Sequence, residues 1–277
     1  MTSTRRKDSS RLSAVIRLGA VALLVCACRD KYEPSDPRPP DFAGQVLHRF
    51  DFESGEAGPW TELKLALLRS MTVVPDPLDP TNRVARFELH RDDPDVSDGK
   101  RAELEMENVG EIGSGRDRWY GFRTYLPPDW EFDHENEIVA QWKGKRDGDL
   151  GEESKSPALA LRVRRNYWYL TNRWDERAVT PDNDSPNEKL WTWPRHAGVW
   201  TEWVVHARWS YRDDGLLEIW KDGVQIVEKH GPNTYNDRRG MYFKIGIYKA
   251  PWSEPDRESL VDRRVVFHDD VWIGTGE

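Results

Sequence analysis

The chain has 277 residues, of which 37% are hydrophobic and 14 are Trp, so it can form one large β domain or two small ones. Its charged residues, 32% of the total, are mixed in sign along the chain, which argues against a disordered polyelectrolyte. The formal net charge of −8 argues against nucleic acid as a partner, and any polyanionic ligand therefore needs a local basic cleft.

The first 27 residues have the pattern of a bacterial signal peptide. A basic stretch at residues 5–11 precedes an apolar segment at residues 18–27, which is too short to span a bilayer as a stable helix. Cys28 follows the small residue Ala27, as a lipoprotein signal peptidase requires. We therefore expect cleavage before Cys28 and lipidation of its thiol, with ordinary secretion and cleavage nearby as the alternative.

Residues 28–44 are interpreted as a Pro-rich tether. Four Pro between residues 29 and 43 make this segment stiff enough to hold a domain off a membrane. Arg29 stands where an inner-membrane retention signal has Asp. We expect an exported protein that is lipid-anchored in the outer membrane, facing the periplasm or the cell surface. Residues 45–277 are expected to form one domain, which acts as a monomer.

From Gln45 onward, short segments of alternating apolar and polar residues are separated by turns. Residues 217–221 and 224–227 alternate on either side of Asp222-Gly223, which is a strong hairpin pattern. Only residues 62–70 favour a helix, and they do so weakly. Many short strands without a repeated strand–helix–strand order predict an all-β sandwich or jelly roll.

Two of these segments place polar side chains on the strand face opposite the core. The segments are residues 101–106 and 137–143, and in the second one alternation directs Ile138, Ala140 and Trp142 toward the core. The polar side chains on the other face are Arg101, Glu103 and Glu105 in the first segment and Gln141 and Lys143 in the second. Each set, taken alone, is also compatible with an ordinary solvated strand face.

A third segment, residues 242–248, is harder to explain as a plain surface strand. Alternation buries the apolar side chains and leaves Tyr242, Lys244, Gly246 and Tyr248 on the other face. Glycine weakens a strand unless something approaches its backbone closely. Two tyrosines and a lysine around such a gap predict a binding surface.

Together, the three segments resemble segments that occur in the same order in alginate lyases of polysaccharide lyase family 7, namely Arg-x-Glu-Leu, Gln-x-His and Tyr-Phe-Lys-x-Gly-x-Tyr. The corresponding residues here are Arg101-Ala102-Glu103-Leu104, Gln141-Trp142-Lys143 and Tyr242-Phe243-Lys244-Ile245-Gly246-Ile247-Tyr248. One departure is that Lys143 stands where the family usually has His, which is a candidate base in related lyases.

Over about residues 46–274, the sequence resembles even more the heparin lyase I and glucuronan lyase group. The segments typical of that group are Trp119-Tyr120-Gly121-Phe122, Ser156-Pro157-Ala158-Leu159, Gly231-Pro232-Asn233-Thr234-Tyr235-Asn236 and Phe267-His268-Asp269-Asp270-Val271-Trp272-Ile273-Gly274. The resemblance implies a β-jelly-roll, or concanavalin-like, sandwich with a long concave groove. It also implies that the substrate is an acidic, uronate-containing polysaccharide.

The activity implied by this resemblance is β-elimination, which removes a weakly acidic C5 proton and expels the C4 oxygen. Arg101 and Gln141 suit neutralisation of the sugar carboxylate. Tyr248 suits proton donation and, if both protons lie on one side of the sugar, proton removal as well. Lys244 is expected to lower the cost of a phenolate at Tyr248. Lys143 is an alternative base if burial or nearby cations lower its pKa, and otherwise a contact for a substrate carboxylate.

Other side chains are expected to contribute to substrate binding in the groove. These candidates are Glu103, Lys244, Tyr242, Trp142, Asn172, Arg173, Asn233, Tyr235 and His206. The histidines lack zinc-type spacing, and the acidic loop at residues 182–184, a conceivable calcium ligand, lacks the spacing of an EF-hand. We therefore expect no cofactor and no metal.

Two other functions remain open from the sequence. A retaining glycosidase on the same kind of sandwich needs two closely placed carboxylates, and the Glu-x-Asp-x-x-Glu strand of that class is absent. A non-catalytic polysaccharide-binding lipoprotein is the second alternative, in which Lys143 would mark lost catalysis. Ultraviolet absorbance separates the three, because only a lyase forms a conjugated C4=C5 uronate.

Overall fold

The computed structural model describes residues 42–181 and 184–276. Within this part of the chain, no helix is long and apolar enough to cross a membrane. The predicted signal peptide, the lipidation site Cys28 and nearly all of the tether lie outside the described residues, as do Asp182 and Asn183 of the acidic loop.

The described residues form strands joined by turns and three short 3-10 helices. The strands are β1 (Val46–Phe50), β2 (Glu62–Lys64), β3 (Met71–Pro75), β4 (Arg83–His90), β5 (Arg101–Gly110), β6 (Asp117–Tyr125), β7 (Asn136–Lys145), β8 (Leu159–Arg164), β9 (Tyr167–Arg173), β10 (Asn187–Pro194), β11 (Trp200–Arg208), β12 (Leu216–Lys221), β13 (Val224–His230), β14 (Arg239–Tyr248) and β15 (Arg263–Thr275). The 3-10 helices are Leu68–Ser70, Gly148–Leu150 and Ala250–Ser253.

These strands build two antiparallel sheets. Sheet A has eight strands in the order β13-β12-β11-β6-β15-β4-β3, with β1 also paired to β15. Sheet B has seven strands in the order β10-β9-β8-β7-β14-β5-β2. The predicted all-β sandwich of the jelly-roll type is confirmed.

The core lies between the two sheets and is rich in aromatic rings. Trp142 and Phe243 of sheet B stack with ring centroids 4.8 Å apart, and Phe122 of sheet A packs against Phe243 at 5.7 Å. Further along, Trp168 of β9 meets Trp203 of β11 edge to face at 5.5 Å. Because burial of a large apolar side chain stabilises a fold by about 1.5–3 kcal/mol, these contacts fix sheet B on sheet A.

Local sequence patterns correctly predicted one hairpin turn, but they were less successful for one predicted helix. Asp222 and Gly223 join β12 to β13 with φ angles of 50° and 74°, the left-handed pair that a two-residue hairpin requires. The weak helical prediction for residues 62–70 is correct only at Leu68–Ser70, a 3-10 helix, because Glu62–Lys64 pairs with β5 as the edge strand β2. Pairing with an existing sheet edge outweighs a weak helical preference in so short a segment.

Strand β7 contains a bulge that reverses one of the predicted side-chain directions. Val139 is an extra residue relative to β8, whereas against β14 two residues, Gly246 and Ile247, lie opposite it; Val139 and Ala140 both join the core. Ile138 therefore lies on the face opposite the core, where it lines a groove. Strict alternation had assigned it to the core, and the extra residue of the bulge is the reason that this prediction was wrong.

Gly246 is required by the neighbouring strand and not by a ligand. Its φ angle is 128°, and a Cβ atom there would lie 2.2 Å from the carbonyl oxygen of Ala102 on β5. The close approach inferred from the sequence is therefore real, but the group that approaches is protein backbone. An alanine at this position would strain both strands that carry the groove residues.

Candidate functional site

The face of sheet B that points away from sheet A carries a groove with a volume of about 780 Å³. Strand register aligns its side chains in rows that cross the strands. The Tyr248 row contains Arg101, Tyr248, Ile138, Arg162 and Tyr169, and the Lys244 row contains Glu105, Lys244, Gln141, Ala160 and Thr171. A third row pairs Tyr242 with Lys143. The three sequence segments thus converge on one surface.

Glu103 is the centre of the hydrogen-bond network on the groove floor. Its side chain is only 2% exposed, and it accepts bonds from Gln141 Nε2 and, at 3.2 Å, from Arg101 Nη1. Lys244 Nζ lies 3.7 Å from the same carboxylate and 2.8 Å from that of Glu105. A buried carboxylate is tolerated only when it is paired in this way. Glu103 therefore orients three groove side chains, which corrects its predicted role as a direct substrate contact.

Tyr248 is paired with Arg101, whose guanidinium carbon lies 4.2 Å from the centre of the phenol ring. Burial raises the pKa of Tyr248, and the charge of Arg101 opposes that rise. Lys244, expected to play this part, instead bonds Glu105 and lies 5.3 Å from the ring of Tyr242. The hydroxyl of Tyr248 makes no hydrogen bond within the described residues, so it is available to a ligand.

Lys143 meets the condition under which a lysine can act as a base near neutral pH. Burial, together with the nearby charges of Lys244 and Arg101, lowers its pKa to about 8. Its Nζ donates to Ser154 Oγ at 3.1 Å, and no carboxylate of the described chain forms an ion pair with it. The site therefore contains an amine that is partly neutral at mildly alkaline pH.

Lys143 and Tyr248 lie at different levels of the groove. Lys143 faces Tyr242 across the strand pair, whereas Tyr248 faces Ile138 and Arg101. Six residues of β14 separate the two levels, which is about 20 Å of strand. This separation is that of the backbone only, because the charge of Arg101, which contacts the Tyr248 ring, also acts on the Lys143 amine.

Comparison with known protein families gives one match. A family model described as "Polysaccharide lyase" matches residues 52–271, which is most of the chain. The chain belongs to this polysaccharide lyase family. No curated protein matches the sequence.

Solved structures support the fold of this lyase. An endo-β-1,4-glucuronan lyase from the fungus Trichoderma reesei is 20% identical, with a TM-score of 0.71 over 83% of this chain and 96% of that one. An alginate lyase from Chlorella virus, vAL-1, is 10% identical, with a TM-score of 0.51 over 83% of this chain and all of that one. A family 7 alginate lyase solved with bound product is 11% identical, with a TM-score of 0.50 over 76% and 85% of the two chains.

The groove of the lyase carries an excess of positive charge although the chain is acidic. Nine Lys and Arg residues line it against five Asp and Glu residues. The cations are Lys64, Arg101, Lys143, Lys145, Arg146, Lys155, Arg162, Arg239 and Lys244. This is the local basic cleft that the net charge of −8 requires for binding a polyanion.

Arg162 is a groove residue that was not predicted from the sequence. It lies in the Tyr248 row, on β8, where its Nε donates to Thr171 Oγ1 at 3.2 Å and its Nη1 donates to Asn136 Oδ1 at 2.8 Å. The alternation of Leu159, Leu161 and Val163 toward the core already placed Arg162 on the groove face. A lone strand arginine gives no further signal, because its neighbours come from other strands.

Two aromatic residues predicted to contact sugars lie in the interior of the lyase. Trp142 is completely buried between the sheets, stacked on Phe243. Tyr235 is also completely buried, with Lys155 Nζ 4.7 Å above its ring. The prediction that they bind substrate is wrong because no face of either ring reaches the groove.

Two asparagines predicted to bind substrate stabilise the backbone instead. Asn172 donates to the carbonyl oxygens of Ala158 and Asn233, each at 2.8 Å. Asn233 donates to the carbonyl oxygens of Arg208 and Leu216 at 3.0 and 2.9 Å. Both side chains are fully buried, so this prediction is also corrected. Their amides satisfy backbone groups where strands end, which is the ordinary function of buried Asn.

His206 lies on the other sheet, on the face that points away from the core. Its ring stacks on Trp119 at 4.0 Å and bonds Glu218 at 2.7 Å and Asp117 at 3.1 Å. It cannot enter the groove, because β11 belongs to sheet A. The strand pattern predicted a polar face correctly, but it did not reveal which sheet the strand joins.

The remaining predicted residues lie on the groove side of sheet B. Tyr242 lines the groove, and burial next to Glu105 and Glu103 raises its pKa. Arg173, at the end of β9, is half-buried and donates to Ser185 Oγ at 3.2 Å. Neither residue touches the Arg101–Tyr248 pair, so both are candidates for contacts further along a polymer.

One group of carboxylates in the described residues is close enough to hold a metal ion. Oxygen atoms of Glu62, Glu105 and Glu107 lie within 4.8 Å of one another. Each of these glutamates already has a lysine partner: Lys64 on Glu62, Lys244 on Glu105 at 2.8 Å and Lys145 on Glu107 at 2.7 Å. The lysines neutralise the cluster, so its chemistry is that of an ion-pair network.

Proposed function

We propose that this lyase cleaves a uronic-acid polysaccharide by β-elimination and forms C4=C5 unsaturated products. The observation that carries the proposal is the contact between Arg101 and Tyr248 inside a groove with surplus positive charge. A cation beside a phenol joins the two functions that elimination requires, namely neutralisation of a carboxylate and transfer of a proton.

Arg101 and Gln141 are proposed to neutralise the carboxylate of the reacting sugar. Glu103 holds both side chains in place but uses only part of their capacity. Arg101 Nη1 donates to Glu103 at 3.2 Å and Nη2 donates to the carbonyl oxygen of Ser97 at 3.3 Å, so each of these nitrogens keeps one further hydrogen. Donors that are oriented in advance cost little to reorganise when negative charge develops on the sugar.

Tyr248 is proposed to move the proton. As a phenolate it takes the proton from C5, the C–H electron pair becomes the C4=C5 bond, and the C4 oxygen leaves with the proton that the phenol returns. Arg101 stabilises the phenolate, whereas burial disfavours it. Lys143, with its pKa near 8, is the second candidate for the base, and contact with a substrate carboxylate is its other proposed role.

The test is a panel of glucuronan, alginate and heparin-like chains incubated with the purified protein. Elimination gives an ultraviolet-absorbing uronate, and its oligosaccharides are lighter by one water than those of hydrolysis. Reducing ends without absorbance would identify a hydrolase and overturn the proposal. Binding without cleavage of any polymer would favour the non-catalytic alternative.

We also propose that the mature chain begins at a lipidated Cys28 and that it acts as a monomer at the outer membrane. The support is the sequence alone: Cys28 after Ala27, then Arg29 and a Pro-rich tether. Mass spectrometry of the N-terminal peptide from exported protein should find a diacylglyceryl cysteine. An unmodified N-terminus elsewhere would contradict this proposal.

A further inference from the structure

The cations of the groove fall into two classes according to their partners. Five of the nine lining cations form ion pairs with carboxylates: Lys64, Arg101, Lys145, Lys155 and Lys244. Among the described contacts, the other four form none, and two of these, Arg146 and Arg239, are exposed. Lys143 and Arg162 remain as half-buried cations without a counter-ion.

Arg162 is held in place without being neutralised. Asn136 and Thr171 fix its Nη1 and Nε through neutral oxygens, the Tyr169 hydroxyl also lies near the guanidinium, and the remaining Nη hydrogens are left for a ligand. The pKa of Arg162 is lowered by burial and by the charge of Arg173. A partly desolvated cation without a counter-ion is unfavourable in the free protein, and an anionic ligand would relieve that cost.

The position of Arg162 relates it to the proposed reaction centre. It lies two strands from Tyr248 in the same row, separated from it by Ile138, and Tyr169 follows on the next strand. At about 4.8 Å per strand, Arg162 is roughly 10 Å from the Tyr248 backbone, a distance comparable to two sugar rings. A polymer that crosses the strands through Tyr248 would pass over Ile138 and reach Arg162.

We propose that Arg162, with Tyr169 and the apolar floor at Ile138, forms a subsite for the carboxylate of a second uronate residue, which lies beyond the bond that is cleaved. The planar guanidinium fork matches a carboxylate, and the half-buried ring of Tyr169 offers a surface for the sugar. The inference rests on the proposed function, because it assumes that a uronate chain occupies the groove.

The test measures binding apart from catalysis, in a Tyr248→Phe background. The probes are hexamers of β-1,4-linked glucuronate and mannuronate, and their neutral counterparts in which each carboxylate is reduced to an alcohol. The acidic hexamer that the parent protein binds is used for the comparison. Calorimetry should show that Arg162→Gln raises the Kd of this hexamer about tenfold, or about 1.4 kcal/mol. Binding of the neutral hexamer should not change. Arg162→Lys, which keeps the charge but loses the fork, should fall between the two.

Arg165 provides the matched control, because it is an exposed arginine in the turn that joins β8 and β9. Its φ angle is 55°, so Arg165→Asn removes the same charge without backbone strain and should bind every hexamer as the parent does. The subsite is overturned if Arg162→Gln weakens binding of acidic and neutral hexamers equally or does not weaken binding at all. It is also overturned if the parent protein binds neither acidic hexamer.

Failure of the subsite and failure of the lyase proposal give different results. If the unsubstituted protein yields no unsaturated product from any uronate, the proposed β-elimination is contradicted. The calorimetry still decides whether Arg162 binds a carboxylate. If products form, Arg162→Gln should raise KM for long oligomers by about tenfold with little change in kcat. It should leave the shortest cleaved oligomer unaffected and should change the cleavage positions along a hexamer.

Discussion

The groove face of sheet B and the outer face of sheet A carry similar charged side chains but differ in how completely these are paired. On sheet A, His206 lies between Glu218 and Asp117, and Arg208 also bonds Asp117, at 2.8 Å. On sheet B, Lys143 meets only a serine hydroxyl. Both faces follow from the same alternation of strand residues.

This difference in pairing indicates which polar surface still has charged or hydrogen-bonding groups that can bind a ligand. A cluster in which every charge meets an opposite charge is electrostatically complete, so a substrate would have to displace a protein group to bind there. Among the described contacts, the groove keeps one unused hydrogen on each Nη atom of Arg101 and a hydroxyl on Tyr248 that makes no hydrogen bond. The candidate site therefore differs from an ordinary polar surface because some of its charged and hydrogen-bonding side chains lack a protein partner, although the face itself is well packed.

The largest expected effect of a substitution is at Tyr248. Tyr248→Phe removes one hydroxyl and keeps the ring under Arg101, so turnover should fall on the order of 100- to 10,000-fold while polymer binding persists. Initial rates of absorbance increase measure the fall, and the midpoint of thermal unfolding should stay near that of the parent. If the variant keeps nearly full activity, the proton is not transferred by Tyr248.

The next effect is expected at Glu103, which positions groove donors without touching substrate. Glu103→Gln should lower kcat/KM by about 10- to 100-fold, because Arg101, Gln141 and Lys244 lose their shared anchor. The charge of Glu103 also raises the pKa of Lys143, so its loss should shift that titration to lower pH. Glu105→Gln, which frees only Lys244 of these three, is the control and should cause a smaller loss. A loss of stability without a shift in the pH profile would indicate a purely structural role.

A third effect depends on pH and tests Lys143. In the folded protein, its pKa lies near 8, below the value of an ordinary lysine, so the side chain loses its proton as pH rises through 8. If Lys143 binds a substrate carboxylate, KM should rise above pH 8 and Lys143→Arg should abolish that rise. If Lys143 is the base, kcat should instead increase through pH 8 and Lys143→Ala should be inactive. KM and kcat measured between pH 6 and 10 separate the two roles.

The smallest effect on activity is expected at His206, on the complete face of sheet A. His206→Gln should leave kcat and KM unchanged because the groove lies on the other sheet. Loss of the Trp119 stack and of two hydrogen bonds should destabilise the fold by about 1 kcal/mol, seen as a lower Tm. A several-fold loss of activity at unchanged stability would contradict the comparison of the two faces.

The sequence predicted the parts of this architecture that depend on local alternation. The groove side chains of β5 and β14 follow a regular pleat, so Arg101, Lys244 and Tyr248 could be placed together before the structure was known. Alternation failed at Ile138, because Val139 is an extra residue relative to the neighbouring strand β8. No pattern within residues 136–145 specifies that extra residue.

The parts that could not be predicted depend on contacts between distant segments. Asn172 and Asn233 look like groove amides in sequence, but each bonds carbonyl groups from another part of the chain. Arg162 looks like any strand arginine, and what distinguishes it in the described fold is that it is half-buried, bonds neutral oxygens and forms no ion pair. Whether a charge is paired is a property of the assembled sheet and cannot be deduced from one strand.

The most direct test of the central claim compares three proteins in one assay. Initial rates of unsaturated uronate formation are measured for the unsubstituted protein, Tyr248→Phe and His206→Gln on the best polymer of the panel. We expect a rapid increase in absorbance for the first, a loss of at least about 100-fold for Tyr248→Phe, and full activity for His206→Gln. Full activity of Tyr248→Phe, or loss of activity in a stably folded His206→Gln, would show that the groove of sheet B is not where the reaction occurs.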